Sequence, residues 1–320
     1  MKPMLAETWN PAKVKFPVIA QPKIDGVRAL NMTGKLTGRS LKPFKNRYLT
    51  TRFGHSALIG LDGEMAAESH VHPDLCRITS SATGTIAGEP YVLWWLFDYV
   101  TIETKDEPYQ SRLLMLEDRL KEIMHEAPEL YPHLRIMPSK LCHTMEELEE
   151  YDAQNLMAGY EGTCFRDPHG KHKQGRSSPT QGGLLRIKRF VDFEFTVHTI
   201  LEGEENLNEA QINELGQTFR SSHQENKVAN GMVGAMLGTV LADVFDVHDG
   251  DKHNEDKLLF RKGEEVKVSA GCLTHDQRRH YFNNQDEFKR LVHKAKFFPK
   301  GIKDKPRFPT WQSFRNAEDM

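Results

Sequence analysis

Short apolar, β-branched runs separated by glycine- and proline-containing breaks dominate this chain, and two longer segments carry a helical period. Phe16-Pro17-Val18-Ile19-Ala20-Gln21-Pro22 predicts a buried strand. Val27-Arg28-Ala29-Leu30-Asn31-Met32 predicts a second, and Asp25-Gly26 between the two predicts a tight hairpin. Leu61-Asp62-Gly63-Glu64-Met65-Ala66 reads as a turn entering a strand, and Tyr91 to Tyr99 as a buried strand. Met1 to Lys15 has no clear period and is expected to cap the first strands. Arg77 to Gly88, rich in Ser, Thr and Gly, predicts an exposed loop. Leu113, Leu116, Leu120, Ile123 and Met124 fall at helical spacing between Ser111 and Glu126, and Pro128 ends that helix. Thr144-Met145-Glu146-Glu147 has the form of an N-cap opening a helix to about Ala158. Both helices are expected to buttress a sheet and to carry no chemistry.

Past Phe190 the pattern becomes all-β. Asp192 to Leu201, Gly231 to Val240 and Glu264 to Gly271 predict strands, and a short helix opens at Thr274. Glu202 to Glu225 is polar and acidic and predicts an excursion containing a short helix. A length of 320 residues suits two domains. Charged residues are 28% and hydrophobic ones 38%, the composition of a globular chain. Cys76, Cys142, Cys164 and Cys272 are scattered without a C-x-x-C pair, which points to reduced thiols and a cytoplasmic protein. His70 and His72 form H-x-H with no further ligand at a zinc spacing. No apolar run approaches membrane-spanning length, so neither a membrane nor a secretory route is expected.

Net charge near −2 does not mark a nucleic-acid binder, but the charge is unevenly spread. Phe288 to Arg307 holds eight basic residues and one acidic, and Lys171 to Arg189 six basic and none acidic. Local basic patches, not net charge, make a phosphate footprint.

The stretch richest in chemistry is Lys23-Ile24-Asp25-Gly26-Val27-Arg28, a lysine presented at a turn with a carboxylate and an arginine beside it. A free lysine, pKa about 10.4, is only about 0.04% neutral at pH 7. A nucleophilic lysine is therefore expected to have its pKa lowered, by burial or by neighbouring cations.

K-x-D-G-x-R resembles the nucleophile motif of the covalent nucleotidyltransferases, which comprise ATP-dependent DNA ligases, RNA ligases and mRNA-capping enzymes. Further stretches match in the family's order. Gly38-Arg39-Ser40 with Lys42 is similar to its second motif, Asp62-Gly63-Glu64 to its D-G-E, and Phe97-Asp98 to its aromatic purine platform. Glu161-Gly162-Thr163-Cys164-Phe165-Arg166 is similar to its E-G motif, and Gly175-Arg176-Ser177 to its basic loop. Leu184-Leu185-Arg186-Ile187-Lys188 is similar to L-K-x-K, with Arg186 where the family has a lysine; alternation puts Arg186 and Lys188 on one face. The layout from Gly271 to Arg279 resembles the OB-fold domain of DNA ligases. Pro306 to Arg315 resembles the last motif without its Asp-Lys ending.

The overall likeness is to compact, phage-type ATP-dependent DNA ligases. It implies an α+β chain in which residues 1–190 form a nucleotidyltransferase (adenylation) domain of ATP-grasp-like antiparallel sheets with helices. Residues 191–320 then form an OB-fold β-barrel that binds DNA. It implies Lys23 as the residue that takes AMP from ATP. Gln21, Arg28, Arg39, Glu64, Phe97, Arg186 and Lys188 are implied at the nucleotide, with Gln21 toward the adenine amino group. Glu161 and Glu64 are implied as Mg2+ ligands. Arg39, Lys42, Arg176, Arg307 and Arg315 are implied at DNA or in the tail. Cys164 reads as core. The implied partner is nicked duplex DNA, clamped or encircled by a monomer. NAD as AMP donor is not expected, because no nicotinamide-binding segment precedes Lys23 and no zinc module follows the barrel. An RNA ligase or a capping guanylyltransferase of the same superfamily remains the alternative.

Overall fold

The structure is a computed structural model that describes residues 1–181, 183–187, 190–245, 258–298 and 307–315. The chain divides into two compact units, Met1–Lys188 and Arg189–Met320.

The first unit is built on two five-stranded sheets. One orders Glu7–Thr8, Leu185–Arg186, Gly162–Arg166, Val18–Lys23 and Lys140–Cys142; the other orders Leu36–Thr37, Val27–Asn31, Leu61–Ala66, Leu93–Tyr99 and Leu134–Ile136. Strands Val18–Lys23 and Val27–Asn31 therefore lie in different sheets, and the predicted hairpin between them is not formed. The chain instead turns a corner from one sheet to the other. Gly26 is needed there for close approach: a Cβ on it would lie 2.2 Å from the Met65 carbonyl oxygen. Gly63 serves likewise inside strand Leu61–Ala66, where a Cβ would lie 2.4 Å from the Trp95 carbonyl oxygen, so no turn occupies Asp62-Gly63.

Strand Leu93–Tyr99 alternates as a half-buried strand should, with Trp94, Leu96 and Asp98 inward. Its register against Leu61–Ala66 steps from Asp62↔Asp98 to Gly63↔Leu96, which makes Phe97 the extra residue of a β-bulge. A bulge leaves its extra residue unpaired in the ladder, and here that residue is Phe97. Helix Tyr109–Glu126 covers this sheet with Leu116, Leu120 and Ile123, which share a core with Phe53, Trp94 and Leu96. Helix Met145–Met157 is capped by Thr144, whose hydroxyl accepts from the Glu147 N–H, and its Leu148 packs with Val18, Ala20 and Phe165 of the other sheet.

The expected loop from Arg77 to Gly88 is mostly helix, Leu75–Gly84. Leu75, Thr79 and Thr83 are buried at four-residue spacing. The Thr79 hydroxyl accepts from the Ala67 N–H, and the Thr83 hydroxyl donates to the Thr79 carbonyl. Tertiary partners thus absorb the hydroxyls that lower helix propensity in isolation. Near the N-terminus, Met4–Leu5 pairs with Gly175–Arg176 and Glu7–Thr8 with Leu185–Arg186.

The second unit is a closed barrel ordered Val191–Asn206, Lys227–Val240, Glu265–Ser269, Arg307–Phe314 and Val292–Phe298, returning to the first. In chain order this is 1-2-3-5-4-1, and strands three and five run parallel. Phe193, Phe195, Val233, Met236, Phe288 and Phe297 fill its core. Helix His275–Asn283 opens on a capping box between Thr274 and Gln277. The first two strands continue beyond the barrel and are joined through the hairpin Ala210–Ile212 with Thr218–Arg220, so the helix expected between Glu202 and Glu225 is absent. Glu204, Glu205 and Asn206 there pair with Ala229, Val228 and Lys227.

No helix among the described residues is long and apolar enough to cross a membrane. All four cysteines are free thiols.

Candidate active site

Lys23 is the last residue of strand Val18–Lys23, at the corner where the chain leaves one sheet for the other. A cavity of about 450 Å3 opens at this corner, a size suited to a small-molecule ligand. Two positions before Lys23 on the same strand, Gln21 also lines it, because side chains two apart share a face.

Glu161 meets Lys23 twice. Its carboxylate is ion-paired with the Lys23 ammonium, and its backbone N–H donates to the Lys23 carbonyl at 3.0 Å. The sheet enforces this, since Gly162 is the register partner of Lys23. Glu64 comes from the other sheet, directly across from Arg28. Burial opposes charge on Lys23, but Glu161, with help from Glu64, outweighs it and holds the lysine above its ordinary pKa. The expected lowering of the lysine pKa is therefore corrected: carboxylates crowd the nitrogen and favour its charged form. Burial, reinforced by Glu161 and Asp25, pushes the Glu64 carboxyl up to about 7 against the opposing pull of Lys23 and Arg28.

Cations line the rest of the cavity: Arg28, Arg39, Arg166, Arg176 and Arg186. Arg28 is committed elsewhere. Its Nε and Nη2 grip the two Asp62 carboxylate oxygens at 2.6 and 2.7 Å, and its guanidinium sits 4.5 Å from the centre of the Phe97 ring. Arg39 is exposed at the cavity wall, whereas Lys42 is exposed and outside the lining. Arg176 donates to the Ala6 carbonyl at 2.9 Å and lies 3.8 Å from Glu7. Arg186 stands opposite Cys164 in the sheet, and its Nε has no protein partner. Lys188, expected beside it, lies outside the described residues. Cys164, read from sequence as core, instead lines the cavity half-buried, and burial pushes its thiol pKa up.

Beneath Phe97 lies a buried charge cluster. Asp98 takes Arg112 through its Nε at 2.8 Å and Nη2 at 3.2 Å, and Arg166 through its Nη1 at 2.5 Å. Burial alone would raise the Asp98 pKa, but Arg166, His172 and Arg112 together hold it well below the carboxylate range. The Arg166 guanidinium in turn covers the Tyr109 ring at 4.2 Å and the Phe97 ring at 5.5 Å. Tyr109 and Arg112 belong to the helix from which no chemistry was expected. One sequence signal could have marked them: Arg112 falls on the buried face of that helix, where an arginine needs a paired carboxylate.

The remaining expected residues lie in the second unit. Arg307 opens strand Arg307–Phe314, and its side chain lies outside the described residues. Arg315 donates to Glu194 at 2.5 Å. No group of three or more His, Cys, Asp or Glu positioned to hold a metal ion occurs among the described residues. His70 packs against the rings of Trp95 and Tyr160.

No protein-family model matches this chain, and no curated protein matches it in sequence. Solved structures do. A crystal structure of the Chlorella virus DNA ligase-adenylate is 26% identical over 98% of this chain and 99% of its own, with a TM-score of 0.51. A second crystal structure of that ligase-adenylate gives 27% identity over 99% of both chains and the same TM-score of 0.51. A Lig E DNA ligase, described as binding DNA with a minimal scaffold, shares the fold at a TM-score of 0.66 and 19% identity, over 98% of this chain and 99% of its own. Over nearly its whole length this chain is thus similar to DNA ligases.

Proposed function

We propose that this chain is an ATP-dependent DNA ligase that seals nicks between a 3′-hydroxyl and a 5′-phosphate in duplex DNA. The observation that carries the reading is the Lys23 corner: a strand-end lysine in a cation-lined cavity, paired with one carboxylate and near a second. Its end-to-end likeness to a ligase-adenylate supports it.

Three transfers make up the reaction. Lys23 Nζ attacks the α-phosphorus of ATP, an N–P bond forms, and pyrophosphate leaves. The 5′-phosphate of the nick then takes the AMP, and Nζ leaves and regains a proton. Finally the 3′-hydroxyl attacks that 5′-phosphorus, AMP leaves, and the strand is continuous. Arg39, Arg176 and Arg186 offset the charge of the phosphates, with Lys188 assigned the same role, and the tail residue Arg307 is assigned to phosphate without a stated place. Lys42 is assigned to the DNA backbone. Phe97 supplies the purine platform, since a base stacked on an aromatic is worth about 1–3 kcal/mol. Arg28 holds that ring from one side while anchored by Asp62. Gln21 faces the adenine.

Magnesium fits the donor set. Mg2+ commonly takes one or two carboxylates and completes its shell with phosphate and water, and Glu161 and Glu64 supply two beside Lys23. Bound there, it would draw charge from the phosphates and compete with the Lys23 ammonium for Glu161.

The second unit is assigned as an OB-fold, whose strand order 1-2-3-5-4-1 it follows. Such barrels bind nucleic acid, and a single copy of the chain is the proposed working form. The test is to incubate the protein with α-labelled ATP or GTP, isolate any covalent adduct, and chase it with nicked DNA, nicked RNA or uncapped RNA. Label from ATP alone, mapped to Lys23 and discharged by nicked DNA into a sealed strand, is expected. Label from GTP discharged onto RNA 5′ ends would make this a capping enzyme.

A further inference from the structure

The Tyr109 hydroxyl faces two oxygens. It lies 2.9 Å from the Phe97 carbonyl oxygen and 2.9 Å from the near end of the Gln21 carboxamide, placed as Oε1. The far end of that carboxamide, placed as Nε2, is buried without a partner, although Gln21 is only 5% exposed and lines the cavity. A phenol carries one proton and can donate once. The Phe97 carbonyl has nothing to donate, so the hydroxyl must serve it. Burial keeps the phenol pKa above its ordinary value, so that proton is not lost. The hydroxyl oxygen is then an acceptor toward Gln21, and only the NH2 end of the carboxamide can meet it. The two ends exchange by a half-turn about the last side-chain bond, and the hydrogen-bond network decides between them. With NH2 on Tyr109, the orphaned buried donor disappears and the carboxamide oxygen takes the partnerless end of a side chain that lines the cavity.

We propose that Tyr109 is a positioning residue for base selection, holding the Gln21 carboxamide with its oxygen toward the purine so that a 6-amino purine is accepted and a 6-oxo purine refused. This rests on the reading of the cavity as an ATP site. An acceptor fixed at that wall pairs with the N–H of a 6-amino group and repels a 6-oxo group. A freely turning carboxamide would pair with either. The ring that imposes the choice is itself held firmly. Tyr109 is fully buried, the Arg166 guanidinium lies 4.2 Å from its centre and that of Arg112 5.4 Å. Its other partner is the carbonyl of the bulged residue Phe97, so the selector is anchored on the residue proposed as the purine platform.

The experiment measures the rate of lysyl-nucleotide formation with ATP, inosine triphosphate and purine riboside triphosphate, which lacks a 6-substituent. In the unaltered chain the expected order is ATP, then purine riboside triphosphate, then inosine triphosphate. Tyr109→Phe is expected to lower the ATP-to-inosine preference at least tenfold, with most of the change a gain on the inosine side. The double variant Gln21→Glu with Tyr109→Phe, which presents oxygen at both ends, is expected to recover the preference for ATP. An unchanged preference in Tyr109→Phe overturns the proposal, as does faster use of inosine than of purine riboside triphosphate by the unaltered chain. That second reading holds even where Tyr109→Phe does not fold. If the unaltered chain forms no covalent adduct with any of the three, the ATP-site reading falls and the proposal with it. An adduct with ATP and an unchanged preference removes the role of Tyr109 alone.

Discussion

Lys23 and Glu161, far apart in sequence, are joined by an ammonium–carboxylate pair and by a 3.0 Å bond from the Glu161 N–H to the Lys23 carbonyl. The backbone bond fixes where the carboxylate stands, so a side-chain substitution removes charge without moving the strand. Nucleophilic attack needs the neutral amine, and Glu161 favours the charged one. With Glu161→Gln the lysine loses its main stabilising charge, and its pKa falls. The rate of adduct formation rises with pH until the lysine is neutral, so its alkaline limb moves toward lower pH. At magnesium saturation the rate itself drops, by tenfold or more, because a proposed ligand is gone; tenfold is about 1.4 kcal/mol in barrier. Cys164→Ser, on the same strand as the Lys23 partner Gly162, is expected to cost little. A pH–rate profile of the two variants checks both statements, and a limb that stays in place in Glu161→Gln would falsify the first.

Glu64 titrates near neutrality, its carboxyl pushed up to about 7 chiefly by burial. Two consequences share one sign. Its folded pKa lies above the ordinary value of 4.5, so the folded state binds a proton more tightly than the unfolded state does. Stability from this group is present below pH 4.5 and is lost as pH rises from there through about 7. Glu64→Gln, which mimics the protonated form, should flatten that part of the stability profile in urea titrations. Metal binding must also displace the proton, so magnesium demand should rise below pH 7 in the unaltered chain. Equal magnesium half-saturation at pH 6 and pH 8 would exclude Glu64 as a ligand.

Gly26→Ala tests the corner itself. A methyl there would overlap the Met65 carbonyl at 2.2 Å, and a backbone oxygen in a sheet cannot step aside. Overpacking of this kind costs about 1–3 kcal/mol. Because Gly26 lies three residues from Lys23, the displacement falls on the nucleophile. Adduct formation is expected to fall by more than tenfold while the melting temperature drops by several degrees. Full activity at a lowered melting temperature would show that Lys23 is positioned independently of the corner.

Most of the candidate site was legible because its residues lie in short contiguous motifs. Lys23, Glu64, Arg39, Phe97, Glu161 and Arg186 each sit in a short motif, and all six are at the corner or on the cavity wall. The connectivity between them was not legible. Asp25-Gly26 has the composition of a hairpin turn, yet the glycine is required by Met65, a residue of another strand. Leu75–Gly84 has the composition of a loop, yet Thr79 and Thr83 find partners that make it a helix. Tyr109 was hidden for a different reason. At helical spacing it is one more apolar residue of a buttressing face, and only the bulge at Phe97 brings a carbonyl to its hydroxyl. Arg315, read as a tail cation, has Glu194 as a partner within its own unit, a pairing set by a strand register that no local pattern reports.

The Asp98 cluster should behave as a unit. Arg112 is fully buried and Asp98 nearly so, and each carboxylate oxygen has an arginine on it. Breaking a buried pair by removing one partner costs about 3–5 kcal/mol, because the other charge is left uncompensated. Arg112→Leu is expected in that range, and Asp98→Asn likewise, since two arginines would then face a neutral amide. The double variant should be less damaging than the sum of the singles, and a double-mutant cycle in urea measures the difference. Additive losses would mean that the two residues contribute independently.

Acid should weaken the barrel through one histidine. His293 is fully buried in the second unit, among the rings of Phe195, Phe288 and Phe314. Its Nε2–H donates to the Phe288 carbonyl at 3.0 Å, and its Nδ1 accepts from the Trp311 indole N–H at 3.1 Å. That pattern admits only the neutral ring, because a second proton on Nδ1 would point at the indole N–H. Burial, against the Phe288 bond, lowers the pKa to about 4. A folded pKa below the unfolded 6.5 means that the unfolded chain takes the proton first. The contribution is complete above pH 6.5 and is lost as pH falls from there to about 4. Lowering the ring from 6.5 to about 4 corresponds to roughly 3 kcal/mol. Urea unfolding followed at Trp311 between pH 7.5 and 4.5 should show a loss of this order. His293→Gln removes the titrating group while its amide can still accept from Trp311 and donate to Phe288. It is expected to start less stable at pH 7.5, from poorer packing, and to lose much less on acidification. A variant that loses as much as the unaltered chain over that interval would place the acid sensitivity elsewhere in the barrel.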